Sequence, residues 1–295
     1  MRTGVTGRLD RLELLVLAED SVDYESPCLG QHGLSVLLRA RSGAGERSFL
    51  FDVGQRPDAL LGNCGLLGVD PRSIDGIVLS HCHYDHTGGL AEILRAIGRR
   101  GLPVVAHPSI FRPNLVAGSM RSVGMRPEDS RKRLVEAGAE LLLSAGPVEL
   151  MPGLRTTGEI RRRNDFEGPG HALLTTGEGG LEPDAMRDDI SLVARVGSMP
   201  PIVLTGCAHA GIANILGQVA EAEGGRAFEN VLGGFHLVEA PEERIRRTVE
   251  ALADFDLRAL AAGHCTGFRA QAALYAAFGS RFAPLRTGTR IAYEA

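Results

Sequence analysis

Short apolar runs bounded by Gly, Pro, Asp or Ser recur along the whole chain. They predict strands over residues 12–18, 34–40, 48–53, 76–79, 104–107, 140–143, 172–175, 190–196, 202–205, 230–233, 259–262 and 289–293. Several are apolar at successive positions, the pattern of strands covered on both faces. Between them, helices are predicted over 57–67, 89–98, 131–137, 211–223, 241–254 and 268–278. Pro241 suits a helix start, where its missing N–H leaves no bond unmade. Glu242, Glu243, Arg246 and Arg247 then form a solvated face. Strands alternating with helices point to the α/β class.

The least regular stretch is 108–170, which holds Gly118, Gly124, Pro127, Pro147, Pro152, Gly153, Gly168 and Pro169 and the run Arg161-Arg162-Arg163. It reads as insertions and loops over one core. No linker or repeat divides the chain, so a single domain over 1–295 is expected. An arginine run would suit a phosphate-bearing substrate, but an exposed one is more often simply solvated.

Composition narrows the function classes. With 295 residues, 44% of them hydrophobic, the chain can bury one large core or two modest ones. A net charge of −4 gives no reason to expect a nucleic-acid partner. No run approaches the roughly 20 apolar residues of a membrane span. The apolar run at 12–18, with Asp10 and Glu13 beside or within it, reads as a first strand and not as a secretory signal. Five cysteines without framework spacing argue against a disulfide-stapled secreted domain and for a reducing, cytoplasmic compartment.

The densest chemistry is Leu79-Ser80-His81-Cys82-His83-Tyr84-Asp85-His86-Thr87-Gly88-Gly89, set between a predicted strand and a predicted helix. Alternate residues at a strand end point the same way, so His81 and His83 can face one metal ion. Asp85 and His86 fall where the chain turns into the helix and can face a second. Imidazole with carboxylate suits zinc, and also iron or manganese. His209 lies just past the strand 202–205, at the sheet edge where ligands collect, and is a further candidate ligand. His236 follows Gly233-Gly234, a pair that lets backbone approach a ligand closely. His236 could bind phosphate or pass a proton to a leaving group, and Gly234 is a candidate substrate contact. Cys207 is either a thiolate ligand or a small buried side chain. Asp188 and Asp189 could support a metal or a ligand histidine, or form a strand-start turn. His32, in Gly30-Gln31-His32-Gly33, could line the pocket and contact substrate. His107 is expected to be structural, and the spacing of His171 suits a ligand poorly.

His81-x-His83-x-Asp85-His86 resembles the signature of the metallo-β-lactamase superfamily. Phe51-Asp52-Val53-Gly54 resembles its strand-ending Asp-x-Gly, which implies that Asp52 orients a ligand imidazole. The first motif through Leu90, together with Thr205-Gly206-Cys207-Ala208-His209-Ala210-Gly211-Ile212, Gly233-Gly234-Phe235-His236-Leu237, Gly263-His264-Cys265-Thr266-Gly267, Thr157-Gly158-Glu159-Ile160 and Phe166-Glu167, resembles one branch of it. That branch is named for 7,8-dihydropterin-6-methyl-4-(β-D-ribofuranosyl)aminobenzene 5′-phosphate synthase. The similarity runs from about residue 30 to about 270. It implies an αβ/βα sandwich, two mixed β-sheets flanked by helices, with metals at one rim. It implies that His264 is the last ligand, on the second metal, and that Asp188-Asp189 match an acidic pair of the branch. At Cys207 the chain departs from an aspartate that often bridges the two metals.

The expected protein is therefore a two-metal Lewis-acid enzyme with two divalent ions, Zn2+ before Fe or Mn. One ion would be held by His81, His83 and His209 and the other by Asp85, His86 and His264, with Asp85 and His236 catalytic. The branch implies pterin transfer with departure of diphosphate. Hydrolysis of a phosphoester, ester or lactone is the alternative, and a non-catalytic metal-binding sensor the third reading. The partner expected is a small molecule, phosphorylated if the branch holds. No nucleic acid and no membrane are expected, and a homo-oligomer is left open.

Overall fold

The computed structural model describes residues 7–168 and 173–295. Two seven-stranded mixed sheets face one another. The first runs, in spatial order, Arg290–Glu294, Arg11–Ala18, Ser35–Ser42, Gly45–Phe51, Gly76–Val78, Leu102–Ala106 and Ala139–Leu143. Its first four strands pair antiparallel and the rest join in parallel. The second runs Phe282–Pro284, Leu260–Gly263, Asn230–Gly234, Ile202–Thr205, Leu192–Ala194, Leu154–Thr156 and Glu149–Met151. There the first four are parallel and the rest antiparallel.

The side-chain period of two sorts each strand between two cores. Leu12, Leu14, Val16, Val36, Leu38 and Phe51 meet Leu192, Ile202, Leu204 and Leu232 between the sheets. Their neighbours Leu15, Leu17, Leu37 and Leu50 face outward, onto helices Pro57–Leu66, Leu90–Ile97 and Arg131–Glu136. Val193, Val203 and Val231 do the same on the other side, against Ile212–Glu223, Glu242–Ala253 and Phe268–Phe278. Parallel strands such as Gly76–Val78 and Ile202–Thr205 are thus buried at every residue, which is why they read as unbroken apolar runs.

The stretch 108–170 is insertion only in part. Ala139–Leu143 closes the first sheet, and Leu154–Thr156 and Glu149–Met151 close the second. The latter two strands are short and hold polar residues, so no apolar run marks them. A separate three-stranded sheet joins Leu115–Val116, Leu173–Gly177 and Gly180–Pro183. The strand expected over 190–196 is regular only at Leu192–Ala194; before it, Ile190 N donates to Ser80 O and Ser191 N to Thr157 Oγ1 in place of ladder partners. Among the described residues no helix is long and apolar enough to cross a membrane.

Candidate metal centre

Strand ends from both sheets meet at one rim. Gly76–Val78 leads to His81 and His83, and the four-residue helix Tyr84–Thr87 turns Asp85 and His86 inward. Ile202–Thr205 leads to Cys207 and His209, and Leu260–Gly263 to His264. His81, His83 and His209 form one group whose ligand atoms all lie within 4.8 Å of one another. Asp85, His86, Cys207 and His264 form a second. Cys207 also groups with His209 and His236, so its thiol sits between the two sets. All of these side chains are buried.

Hydrogen bonds to the far ring nitrogens set the tautomers. Ser80 Oγ donates its one proton to Asp52 Oδ2 (2.6 Å), so His81 Nδ1–H donates to Ser80 Oγ (2.8 Å) and leaves His81 Nε2 with a bare lone pair. His86 Nδ1–H donates to Asp52 Oδ2 (2.7 Å), which turns His86 Nε2 toward Cys207 Sγ and His264 Nε2, both at 3.1 Å. His264 Nδ1–H donates to Asp20 Oδ1 (2.7 Å). Asn114 Nδ2 donates to Asp184 Oδ2 (2.6 Å), which leaves Asn114 Oδ1 to accept from His83 Nε2–H at 3.1 Å and frees His83 Nδ1. Carbonyl or carboxylate partners of this kind orient metal-binding imidazoles. Burial pushes His83 down to about 4 and holds His81 and His209 well below the ordinary histidine range, so the rings are neutral donors. Burial opposes charge on Asp85, but His86 and His264 outweigh it and keep the carboxyl well below its usual range.

The donor set fits a cation on this evidence alone. His81 Nε2 and both ring nitrogens of His209 are buried without a hydrogen-bond partner, and orphaned buried polar atoms call for a ligand. Strain gathers at the same place. Asp52, Ala208, His236 and His264 have φ of 58°, 55°, 46° and 49°, and these side-chain-bearing residues stay left-handed only where the surroundings over-determine them. At Gly206 a Cβ would lie 2.1 Å from Ser80 Oγ and 3.0 Å from Asp52 Oδ2. The Thr-Gly-Cys sequence therefore reflects the close approach of the two metal-binding loops.

The other expected site residues fall in several places. Asp188 Oδ2 accepts from Cys82 N (2.8 Å) and pairs with Arg112 (2.7 Å), and Asp189 Oδ2 accepts from Ala210 N (2.7 Å). Neither falls in one of the donor groups; through these oxygens they pin the backbone of the two loops, while Asp188 Oδ1 and Asp189 Oδ1 are buried without a hydrogen-bond partner. At Gly234 a Cβ would lie 2.6 Å from both Cys265 Sγ and Gly206 O, so protein packing alone already requires glycine there. His236 packs against His209 with ring centroids 4.1 Å apart. His32 stands half-exposed at the mouth, 3.1 Å from Asp20 and 3.4 Å from Asp85. His107 bonds Ser109 and Glu159, away from the donor groups. His171 lies outside the described residues. Arg161 and Arg163 pair with Glu221, while Arg162 donates to the main-chain oxygens of Ala185 and His209.

Sequence reasoning missed Asp20 and Asn114, and gave no separate role to Ser80 and Glu167, which lie within quoted motifs. Asp20 and Ser80 sit just past strand ends, which is a usable signal. Glu167 accepts from Ala213 N and Asn214 N, both at 2.9 Å, and so caps the helix behind His209 from a remote loop. Asn114 carries no local signal at all.

Above the donor groups lies a cleft of about 420 Å³. His83, Asp85, Cys207, His236 and His264 form its floor. Tyr84, Val116, Val123 and Leu173 make an apolar wall, and Arg121 stands at its edge.

The family model described as "Metallo-beta-lactamase superfamily" matches residues 30–177. The 7,8-dihydropterin-6-methyl-4-(β-D-ribofuranosyl)-aminobenzene-5′-phosphate synthase of Methanocaldococcus jannaschii is 35% identical over 291 residues, 97% of this chain and 98% of its own. An uncharacterised protein of the same organism is 31% identical over 260 residues, 87% of this chain and 92% of its own. The crystal structure of Tm1679, a metal-dependent hydrolase of the β-lactamase superfamily, matches with a TM-score of 0.80 at 26% identity, covering 96% of this chain and 100% of that one. The metallo-β-lactamase fold protein YhfI of Bacillus subtilis shares the fold at a TM-score of 0.56 and 14% identity, with 96% and 100% covered.

Proposed function

This chain belongs to the metallo-β-lactamase superfamily of enzymes, and from that premise we propose that it joins a dihydropterin diphosphate to an aminobenzene ribotide with two divalent ions, zinc by preference. The observation that carries this reading is the extent of the likeness to the M. jannaschii synthase: it spans 97% of the chain, substrate wall as well as metal-binding floor. His81, His83 and His209 would hold one ion, and Asp85, His86 and His264 the other, with the Cys207 thiol placed to serve either. Ions bound there would act as Lewis acids on the leaving diphosphate. The chain's own side chains do the rest. Tyr84, Val116, Val123 and Leu173 offer an apolar face for a flat ring and keep water from it. His236, beside His209 on the floor, would hold a proton near the leaving oxygen. The amine nitrogen attacks the pterin methylene, and the C–O bond to diphosphate breaks. All five cysteines are free and buried, which supports a reducing, cytoplasmic setting.

Hydrolysis is the second reading, favoured by the likeness to a protein described as a metal-dependent hydrolase. One experiment separates the two. Metal-loaded protein is mixed with the dihydropterin diphosphate and the ribotide, and products are read by mass spectrometry. The joined product, lost in Asp85→Ala, is the expected result. Hydrolysed pterin alone would replace transfer by hydrolysis, and no product would sink the pterin reading.

A further inference from the structure

The apolar wall ends in a cationic corner that the chemistry above does not use. The segment from Asn114 to Gly124 folds back on itself: Val116 N donates to Arg121 O (2.9 Å), Met120 N to Val116 O (2.9 Å) and Val123 N to Asn114 O (2.9 Å). This places the Arg121 side chain at the edge of the cleft. Arg121 also borders a second hollow of about 270 Å³, lined by Tyr84, Arg121, Ser122, Gly124, Arg126 and Pro127. Tyr84 and Arg121 line both, so the hollow adjoins the cleft. The Arg126 guanidinium lies over the Tyr84 ring, 5.2 Å from its centroid. Among the described residues, Arg121 has no side-chain hydrogen bond or ion pair, whereas most arginines of this chain are paired.

We propose that Arg121 and Arg126, set around Tyr84, form a subsite for the phosphate monoester of the substrate that does not react. Two arginines and no acidic residue line the hollow. The cleft beside it carries Asp20, Asp85 and Glu239, which repel any phosphate not neutralised by bound cations. A phosphate monoester bears a charge of about −1.5 to −2 at neutral pH, and guanidinium matches its oxygens in bidentate fashion. This rests on the substrate reading given above, and the chemistry of that substrate sets the geometry. In the ribotide, a ring and a ribose separate the attacking nitrogen from the 5′-phosphate. With the nitrogen at the floor, the phosphate must lie out by the rim, where these arginines stand.

The test reads binding and not turnover. Zinc-loaded protein is titrated calorimetrically with 4-(β-D-ribofuranosyl)aminobenzene 5′-phosphate and with the same compound lacking phosphate. The intact protein should prefer the phosphorylated form by at least about tenfold, the scale of one charge-assisted contact. Arg121→Ala with Arg126→Ala should erase the preference while metal content and thermal melting stay as in the parent. Arg121→Glu alone should invert it. Inorganic phosphate should compete in the parent and not in the double variant. Equal affinity for the two compounds, no binding of either, or a preference that survives in the variants overturns the subsite. An arginine-dependent preference without any condensation product would leave the subsite standing and remove the transfer reading.

Discussion

At and beneath the floor of the cleft, His81, His83, His86 and His264 are each held by a hydrogen bond, to Ser80, Asn114, Asp52 and Asp20. On the wall, Val116 and Tyr84 are half-buried and Met120 is 49% exposed at a loop tip. The floor is assembled from strand ends of the two large sheets, and the wall mostly from the separate small sheet and the segment after Leu115–Val116, with Tyr84 added from the short helix of the first motif. Metal binding needs donor atoms fixed to a few tenths of an ångström, which only a close-packed core supplies. Substrate choice needs a surface that differs between relatives, which an added element supplies without disturbing the core. Asn114 joins the two, since it starts the wall segment and orients His83 from beneath.

If the floor and wall divide metal binding from selectivity, substitutions should sort the same way. The largest effect is expected at Asp85. Asp85→Ala should remove one metal equivalent, read by elemental analysis, and lower turnover by roughly a thousandfold or more. Two equivalents retained with turnover intact would end the assignment of the floor. Asn114→Ala comes next. It should weaken metal affinity by about 10- to 100-fold, chiefly at the set that includes His83, and should also loosen the wall segment, seen as faster amide exchange at Val116 and Val123. Unchanged metal affinity would detach the wall from the floor.

The smallest effect concerns a carboxyl under the floor. Burial pushes Asp189 up to about 8, above the roughly 3.9 of an unfolded aspartate. The folded state then holds a proton that the unfolded state has lost, so stability should fall as pH rises between about 4 and 8, by at most about 1.4 kcal/mol per pH unit. Asp189→Asn keeps an acceptor for Ala210 N and should flatten that slope in denaturant melts of the metal-free chain. Parallel slopes in parent and variant would show that Asp189 is not the group responsible.

Much of the floor was legible because its residues are close in sequence. His81, His83, Asp85 and His86 occupy one strand end and one helical turn, and local geometry alone brings them together. His209 and His264 were legible as residues just past apolar strands. The wall was not. Leu115–Val116 pairs with Leu173–Gly177, more than fifty residues on, and neither run signals the other. Gly234 is ambiguous for a related reason: a glycine at a rim signals close approach, but not whether the neighbour is ligand or protein.

By itself the sequence determined the α/β class, most of the strands and helices, and the first metal-binding motif, because hydrophobic period and strand-end spacing are local properties. Only the tertiary structure decided that Cys207 lies between the two donor sets, that Asp20 and Asn114 hold His264 and His83, and that Asp188 and Asp189 each pin the backbone of a site loop. Those roles depend on which strand ends meet at the rim. That is settled by the packing of the two sheets, whose contacts join residues far apart in the chain.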